Sequence, residues 1–273
     1  MTEIDWAKGQ GRISAGRESL EWACWGPVPD TDPVIVMLHE GLGCVAMWRD
    51  FPEQLALATG CSVFAYSRAG YGQSDPTTLP RPLDYMTREA IDVLPDVLNN
   101  IGAGAFVLLG HSDGATISTE YAGRVADYRV RGLILIAPHF FAETIGLAAI
   151  RRVKHDFETT NLRDRLANYH INPDNAFQGW TNAWLDPHFQ NWHVGEVIDY
   201  VRIPALIIQG EQDQYGTYAQ VSEIEKRSYA PVDVVMIPDC KHAPHLERPE
   251  FTLKAISEFC ARLLRIDAAG PQD

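Results

Sequence analysis

Residues 105–114 read Ala105-Phe106-Val107-Leu108-Leu109-Gly110-His111-Ser112-Asp113-Gly114. The first five are continuously apolar and too few for a stable helix, as expected of a strand buried on both faces of a parallel sheet. A Gly-x-Ser-x-Gly turn follows, and then a helical stretch over 114–125 with the small residues Ala115 and Ser118 near its start. A tight turn between strand and helix forces Ser112 into a strained conformation, and side chains at Gly110 or Gly114 would meet neighbouring backbone. The hydroxyl then projects from the carboxyl edge of a sheet, in front of the free N–H groups of a helix N-terminus. By residue frequency the pattern has a chance probability of about 0.06, so its placement after a buried strand carries much of the reading.

Outward from this turn, apolar runs bounded by turn residues recur at 34–38, 62–66, 132–137, 205–209 and 232–237. Helical stretches are predicted at 45–58, 87–101, 114–125 and 249–266. This alternation predicts an α/β fold with a doubly wound, mostly parallel sheet. Residues 11–25 look instead like a hairpin that pairs antiparallel at one edge. Between His139 and Arg202 the rhythm stops for roughly sixty residues, which implies an insertion. The predicted organisation is a core of residues 1–138 and 203–273 carrying a helical cap at 139–202, with helices at 142–160, 161–169, 174–184 and 193–201. The insertion's aromatic residues have two readings: its own small core, or the wall of an apolar pocket.

A serine hydroxyl is a poor nucleophile at neutral pH and needs an imidazole, itself oriented by a carboxylate. Both are available after later strands. Asp213 follows the run at 205–209, with Glu211 as a competing acid. His242 follows the run at 232–237 most closely, ahead of His245. A tetrahedral oxyanion needs two N–H donors. One is expected from Asp113, the residue after the nucleophile. The other is expected from the turn His39-Glu40-Gly41-Leu42-Gly43, at Gly41, with Glu40 and Leu42 as alternatives. His39 is read as structural, hydrogen-bonded beneath the turn. Glu40, Leu42, His139, Trp180 and Trp184 are the candidate pocket residues.

Composition narrows the partners. With 23 Lys and Arg against 36 Asp and Glu the net charge is −13, which repels nucleic acid and anionic membranes. Met1-Thr2-Glu3-Ile4-Asp5-Trp6 carries acids where a signal peptide needs basic residues, so no export signal is expected. The most apolar stretch, 132–150, is interrupted by Pro138, His139 and Glu143, and no membrane span is expected. Five cysteines without a CxxC pair read as reduced thiols in a cytoplasmic protein. No metal or cofactor is called for, the expected partner is a small-molecule substrate, and the oligomeric state stays open.

These residues resemble the α/β-hydrolase superfamily over nearly the whole chain. The order Ser112, Asp213, His242 is similar to that superfamily's nucleophile, acid and histidine. The stretch Cys240-Lys241-His242-Ala243-Pro244-His245-Leu246-Glu247-Arg248-Pro249 resembles its histidine loop, and Ser67-Arg68-Ala69-Gly70-Tyr71-Gly72-Gln73-Ser74-Asp75 its turn after the fourth strand. Three positions depart from the pattern: Glu40 where the family often has glycine, Ser67 where many members carry aspartate, and Lys241 where glycine often precedes the histidine. The resemblance implies a serine hydrolase that cleaves a carboxylic ester or lactone through an acyl-enzyme. Serine at 112 argues against the related dehalogenases and epoxide hydrolases that use an aspartyl nucleophile. Carbon–carbon bond hydrolysis is the nearest alternative, followed by a ligand receptor or a cofactor-independent oxygenase on the same scaffold. Glu40 and Asp113 adjoin the two expected donors. Each is expected to face solvent or a basic neighbour such as Arg68, but their field reaches a short way into the pocket, and with no run of Lys or Arg nearby it favours a neutral, moderately apolar substrate.

Overall fold

The computed structural model describes the backbone of residues 4–269 and side chains through residue 265. Met1, Thr2 and Glu3, part of the stretch read for an export signal, lie outside the described residues.

Eight strands form one sheet in the order β1-β2-β4-β3-β5-β6-β7-β8. They are β1 Gln10–Ala15, β2 Glu18–Trp25, β3 Val34–Leu38, β4 Val63–Tyr66, β5 Phe106–His111, β6 Val130–Ile136, β7 Ala205–Gly210 and β8 Val232–Ile237. β1 and β2 are the antiparallel hairpin expected at the edge, and β2 joins β4 antiparallel. Every pairing from β4 through β3, β5, β6 and β7 to β8 is parallel.

Alternating residues of the central strands divide the interior into two layers. Val36, Leu38, Leu108, Leu135 and Ile207 face one side and pack with Ala115, Ile117 and Tyr121 of α4 (Asp113–Arg124). Ile35, Met37, Leu109, Ile136 and Ile208 face the other, against Phe51 and Leu55 of α1 (Phe51–Thr59) and Ile256 and Phe259 of α10 (Pro249–Ala269). Both layers bury period-2 faces, which explains why the strands read as unbroken apolar runs rather than alternating ones.

The segment before β5 departs from the single helix expected at 87–101. It comprises α2 (Tyr85–Arg88), a π-helical turn at Glu89–Val93, and α3 (Leu94–Ile101), whose second residue is Pro95. Proline has no N–H to give to the turn before it, so the ladder must rearrange there. Between β6 and β7 lie α5 (Thr144–Thr159), α6 (Leu162–Ala167) and α7 (Pro173–Trp184), followed by a 3₁₀ turn at Pro187–Asn191 and a second at Gly195–Tyr200, where a helix was expected at 193–201. A helix absent from the sequence reading, α8 (Tyr218–Arg227), connects β7 to β8, and a short α9 (Pro244–Glu247) precedes α10.

Close approach at two glycines sets where α4 begins. A Cβ at Gly110 would strike the backbone of Gly114 and Ala115, and one at Gly114 would strike the Leu38 carbonyl. Gly114→Ala should therefore cost about 3 kcal/mol or more. Gly104→Ala, where a methyl group meets nothing within 4 Å, should change stability by less than about 0.5 kcal/mol or raise it slightly. Urea unfolding of both variants checks the pair; equal small effects would contradict the packing described.

Candidate active site

Ser112 has φ 53° and ψ −116°, a left-handed backbone that costs a non-glycine residue about 1–3 kcal/mol. Its amide donates to the Ile136 carbonyl at 2.9 Å, and its own carbonyl accepts from Ala115 and Thr116 at 2.9 and 3.2 Å. That carbonyl points into the helix, so the N–H at the other end of the same planar peptide, on Asp113, points out of it. As the first residue of α4, Asp113 has no intrahelical acceptor for this N–H. The Ser112 hydroxyl has no hydrogen-bond partner among the described residues and opens into a cavity of about 180 Å³. Gly41, Trp180, Tyr215 and His242 share the wall of that cavity, as do Glu40, Leu42, Asp113 and Trp184.

His242 meets Asp213 beyond the ends of β8 and β7. Its Nδ1–H donates to both carboxylate oxygens, at 2.9 Å and 2.8 Å, which leaves Nε2 as the unprotonated nitrogen of a neutral ring. Gly210 permits this approach, because a Cβ there would collide with the carbonyls of Cys240 and Lys241. Burial alone would raise the Asp213 carboxyl, but the neighbouring His242, which donates to it, and the Tyr215 amide hold it below the usual carboxylate range. Glu211, the competing acid, is exposed. His245 is buried among Trp48, Phe51 and His111, with ring centroids at 4.9, 5.3 and 4.7 Å. The loop itself is clamped by Glu247, whose carboxylate accepts from the amides of Lys241 and Ala243 at 2.9 and 3.1 Å.

The turn after β3 is held from beneath. The Glu40 carbonyl accepts from His39 Nδ1–H at 2.7 Å, Arg68 Nη2 at 3.0 Å and the Gly43 amide at 3.2 Å. Arg68 also donates to the His39 carbonyl, and its own amide donates to His39 Nε2 at 3.0 Å. With the Glu40 carbonyl tied down, the Gly41 N–H at the opposite end of that peptide is turned the other way. Trp180 lies directly over Gly41, where any Cβ would strike its indole.

Of the two carboxylates beside the expected donors, Asp113 meets the basic neighbour anticipated for it, Arg68, and Glu40 faces His111 instead. Asp113 is buried; its carboxylate accepts from the Tyr85 hydroxyl at 2.5 Å and lies 3.9 Å from Arg68. Trp184 Nε1–H donates in turn to the Tyr85 oxygen at 3.0 Å. Burial pushes the Asp113 carboxyl up despite these partners. Arg68 therefore stands beside the Ser112 turn, delivered by the segment after β4 rather than by a local run of Lys or Arg. Burial would likewise raise the Glu40 carboxyl, but its Oε2 faces His111 Nδ1 at 3.6 Å, and that histidine holds it well below the usual range. Through Nε2, His111 donates to the His242 carbonyl at 2.8 Å.

Of the candidate pocket residues, Glu40, Leu42, Trp180 and Trp184 line the cavity and His139 does not. His139 is buried behind it, edge-on to Trp184 at 5.6 Å and tilted toward His242 at 5.6 Å. Several other insertion aromatics pack on one another: Phe157 stacks on Phe177, and Phe189 stacks on Trp192 and lies tilted against Trp184. A larger hollow of about 620 Å³ lies between Arg17, Arg81, Glu89 and Asp96, and neither Ser112, Asp213 nor His242 lines it.

Residues 35–255 match the sequence model of the alpha/beta hydrolase family. The chain belongs to that family. Among its relatives, epoxide hydrolase 3 of Xenopus tropicalis is 23% identical over 267 residues, covering 84% of this chain and 71% of that protein. The bifunctional esterase/perhydrolase DCH of Acinetobacter calcoaceticus is 24% identical over 221 residues, covering 70% of this chain and 77% of that one. A thermophilic esterase from Thermogutta terrifontis superposes with a TM-score of 0.70 at 18% identity, covering 93% of this chain and 98% of its own.

Four buried histidines, His39, His139, His170 and His245, are held neutral chiefly by burial, His139 with a pKa lowered to about 3. An unfolded chain takes up these protons near pH 6.5 and the folded chain does not. The unfolded state then binds more protons, so stability is lost as pH falls below about 6.5, by about 1.4 kcal/mol per pH unit for each such histidine. Unfolding free energy measured in urea should drop by roughly 3–5 kcal/mol between pH 7 and pH 5.5. A flat profile over that window would show that the four rings are not locked neutral.

Proposed function

We propose that this chain is a serine hydrolase acting on a neutral, moderately apolar carboxylic ester or lactone. The observation that carries this reading is the hydrogen bond that His242 Nδ1–H donates to both carboxylate oxygens of Asp213, which leaves His242 Nε2 free on the cavity that the Ser112 hydroxyl enters. In the first half-reaction Ser112 Oγ attacks the carbonyl carbon and His242 Nε2 takes its proton. Asp213 holds the ring in the required tautomer and stabilises the imidazolium. The oxyanion is received by the amide of Asp113 at the N-terminus of α4 and the amide of Gly41 in the turn after β3. His242 then protonates the leaving alcohol, and water attacks the acyl-enzyme by the same steps in reverse. The Ser112–His242 hydrogen bond is the contact of this triad that closes when substrate excludes water from the cavity.

Residues 139–202 act as a cap in this scheme. Trp180 and Trp184 roof the Ser112 cavity, and a space of about 180 Å³ is small for a ligand site, so bulky esters require the cap to move. A hydroxyl at 112 cannot form the alkyl-enzyme ester of carboxylate-dependent epoxide opening, which separates this chain from its epoxide hydrolase relative. Among the described residues no cysteine is paired, and burial pushes the Cys44 and Cys260 thiols up to about 12; inert reduced thiols suit the cytoplasm, where we place the protein.

A fluorophosphonate probe should label Ser112, identified by peptide mass mapping. Ser112→Ala and His242→Ala should each lower turnover of a p-nitrophenyl ester by about 10³-fold or more, and Asp213→Asn should be severely impaired while it still folds. Labelling at any other residue, or an inactive His245→Ala beside an active His242→Ala, would overturn the assignment.

Substrate charge is decided by Glu40. It is the anionic side chain that meets the cavity without an arginine partner, and neither Lys nor Arg lines that space. At low salt, kcat/KM for a neutral ester should exceed that for a matched ester bearing a carboxylate by about tenfold or more, and Glu40→Gln should narrow the gap. Preference for the anionic ester would contradict this.

A further inference from the structure

His170 lies between α6 and α7, at a position where neither the strand-end logic nor the motifs direct attention. It is buried, and both ring nitrogens are engaged. The Gly72 amide donates to Nδ1 at 2.9 Å. A backbone N–H can only donate, so Nδ1 is the unprotonated nitrogen and the ring is the Nε2–H tautomer. Nε2–H then donates to the Leu42 carbonyl at 3.0 Å. Burial lowers the pKa of this histidine and so favours the neutral form that these two bonds require.

Both ends of the Leu42–Gly43 peptide are thereby held: the carbonyl by His170, the N–H by the Glu40 carbonyl at 3.2 Å. The Glu40–Gly41 peptide is held by His39 and Arg68. The two restrained peptides flank the Gly41–Leu42 unit, whose amide and carbonyl have no partner among the described residues. Without His170, the Leu42 carbonyl would lose its one side-chain donor and the turn would be anchored from the β4 side alone. The frame from which His170 acts is itself rigid. Gly72 is packed so closely by Glu21, Ser67 and Cys44 that a Cβ would collide there, and Ile171 donates back to the Gly72 carbonyl at 3.0 Å.

We propose that His170 is a positioning residue for the oxyanion turn, contributed by the insertion, so that seating of residues 139–202 both covers the cavity and completes the geometry of the Gly41 donor. This rests on the serine-hydrolase reading above. A residue of this kind stabilises the transition state and leaves substrate binding largely untouched.

Two substitutions in the full-length protein separate its bonds. His170→Asn keeps an acceptor near the Nδ1 position for Gly72 but is too short to reach Leu42. His170→Gln carries an acceptor and a donor on one amide that spans both. With p-nitrophenyl butyrate, His170→Asn should lower kcat by about 10- to 100-fold, less than removal of an oxyanion donor outright, with KM within about threefold of wild type. Its inhibition by butylboronic acid, whose tetrahedral adduct uses the same donors, should weaken by the same factor. His170→Gln should recover both to within about fivefold. A wild-type kcat in the Asn variant, an equal loss in both variants, or a loss confined to KM would overturn the proposal. Should wild-type protein neither react with a fluorophosphonate at Ser112 nor hydrolyse the ester, the serine-hydrolase reading falls and this one with it; wild-type labelling and turnover with an unaffected Asn variant removes this proposal alone.

Discussion

At Gly114 the first turn of α4 lies against the carbonyl of Leu38, and at Gly110 the last turn of β5 lies against α4 itself. No side chain fits between them. This contact forces the chain to reverse at Ser112 with a positive φ, and the strain is sustained because the backbone on either side is hydrogen-bonded to β6 and to the helix. A looser turn would let the serine relax into the sheet and would separate the Asp113 amide from the Gly41 turn. The geometry at the carboxyl edge depends on that one close approach between β3, β5 and α4.

Around it, charge is managed by burial rather than by solvent. Asp113 is balanced by Arg68 and Tyr85, and Glu40 by His111. Arg68 also binds two carbonyls of the turn after β3, so one guanidinium both offsets a carboxylate and orients a peptide. Such a network is costly to leave half-satisfied. Several atoms in it, including Arg68 Nε, Asp113 Oδ1 and His111 Nδ1, have no hydrogen-bond partner among the described residues.

The insertion reaches the same edge from above. Trp184 connects through Tyr85 to Asp113, Trp180 covers Gly41, and His170 grips Leu42. The residues that cover the cavity and the one that grips the turn after β3 therefore come from the same stretch, α7 and the connection that precedes it.

The sequence by itself determined the sheet, because strands buried on both faces must be continuously apolar, and 34–38 and 232–237 could be read to the residue. It also singled out Ser112, since glycines two residues before and after a serine, behind a buried strand, have a steric purpose. The order of Asp213 and His242 was legible because loops at one sheet edge converge whatever their separation in the chain. What it could not supply were contacts between distant segments. Arg68 was legible as a basic neighbour for Glu40 or Asp113, yet not as the guanidinium that binds the carbonyls of residues 39 and 40; His139 was a candidate pocket residue, yet it is packed behind the wall. His170 carried no signal at all, since a lone histidine beside the Pro173 helix start says nothing about Leu42, 128 positions away. Periodicity and turn chemistry are local and survive in the sequence. The pairing of buried polar groups depends on which segments the folded core brings within hydrogen-bond reach, and only the tertiary structure decides that.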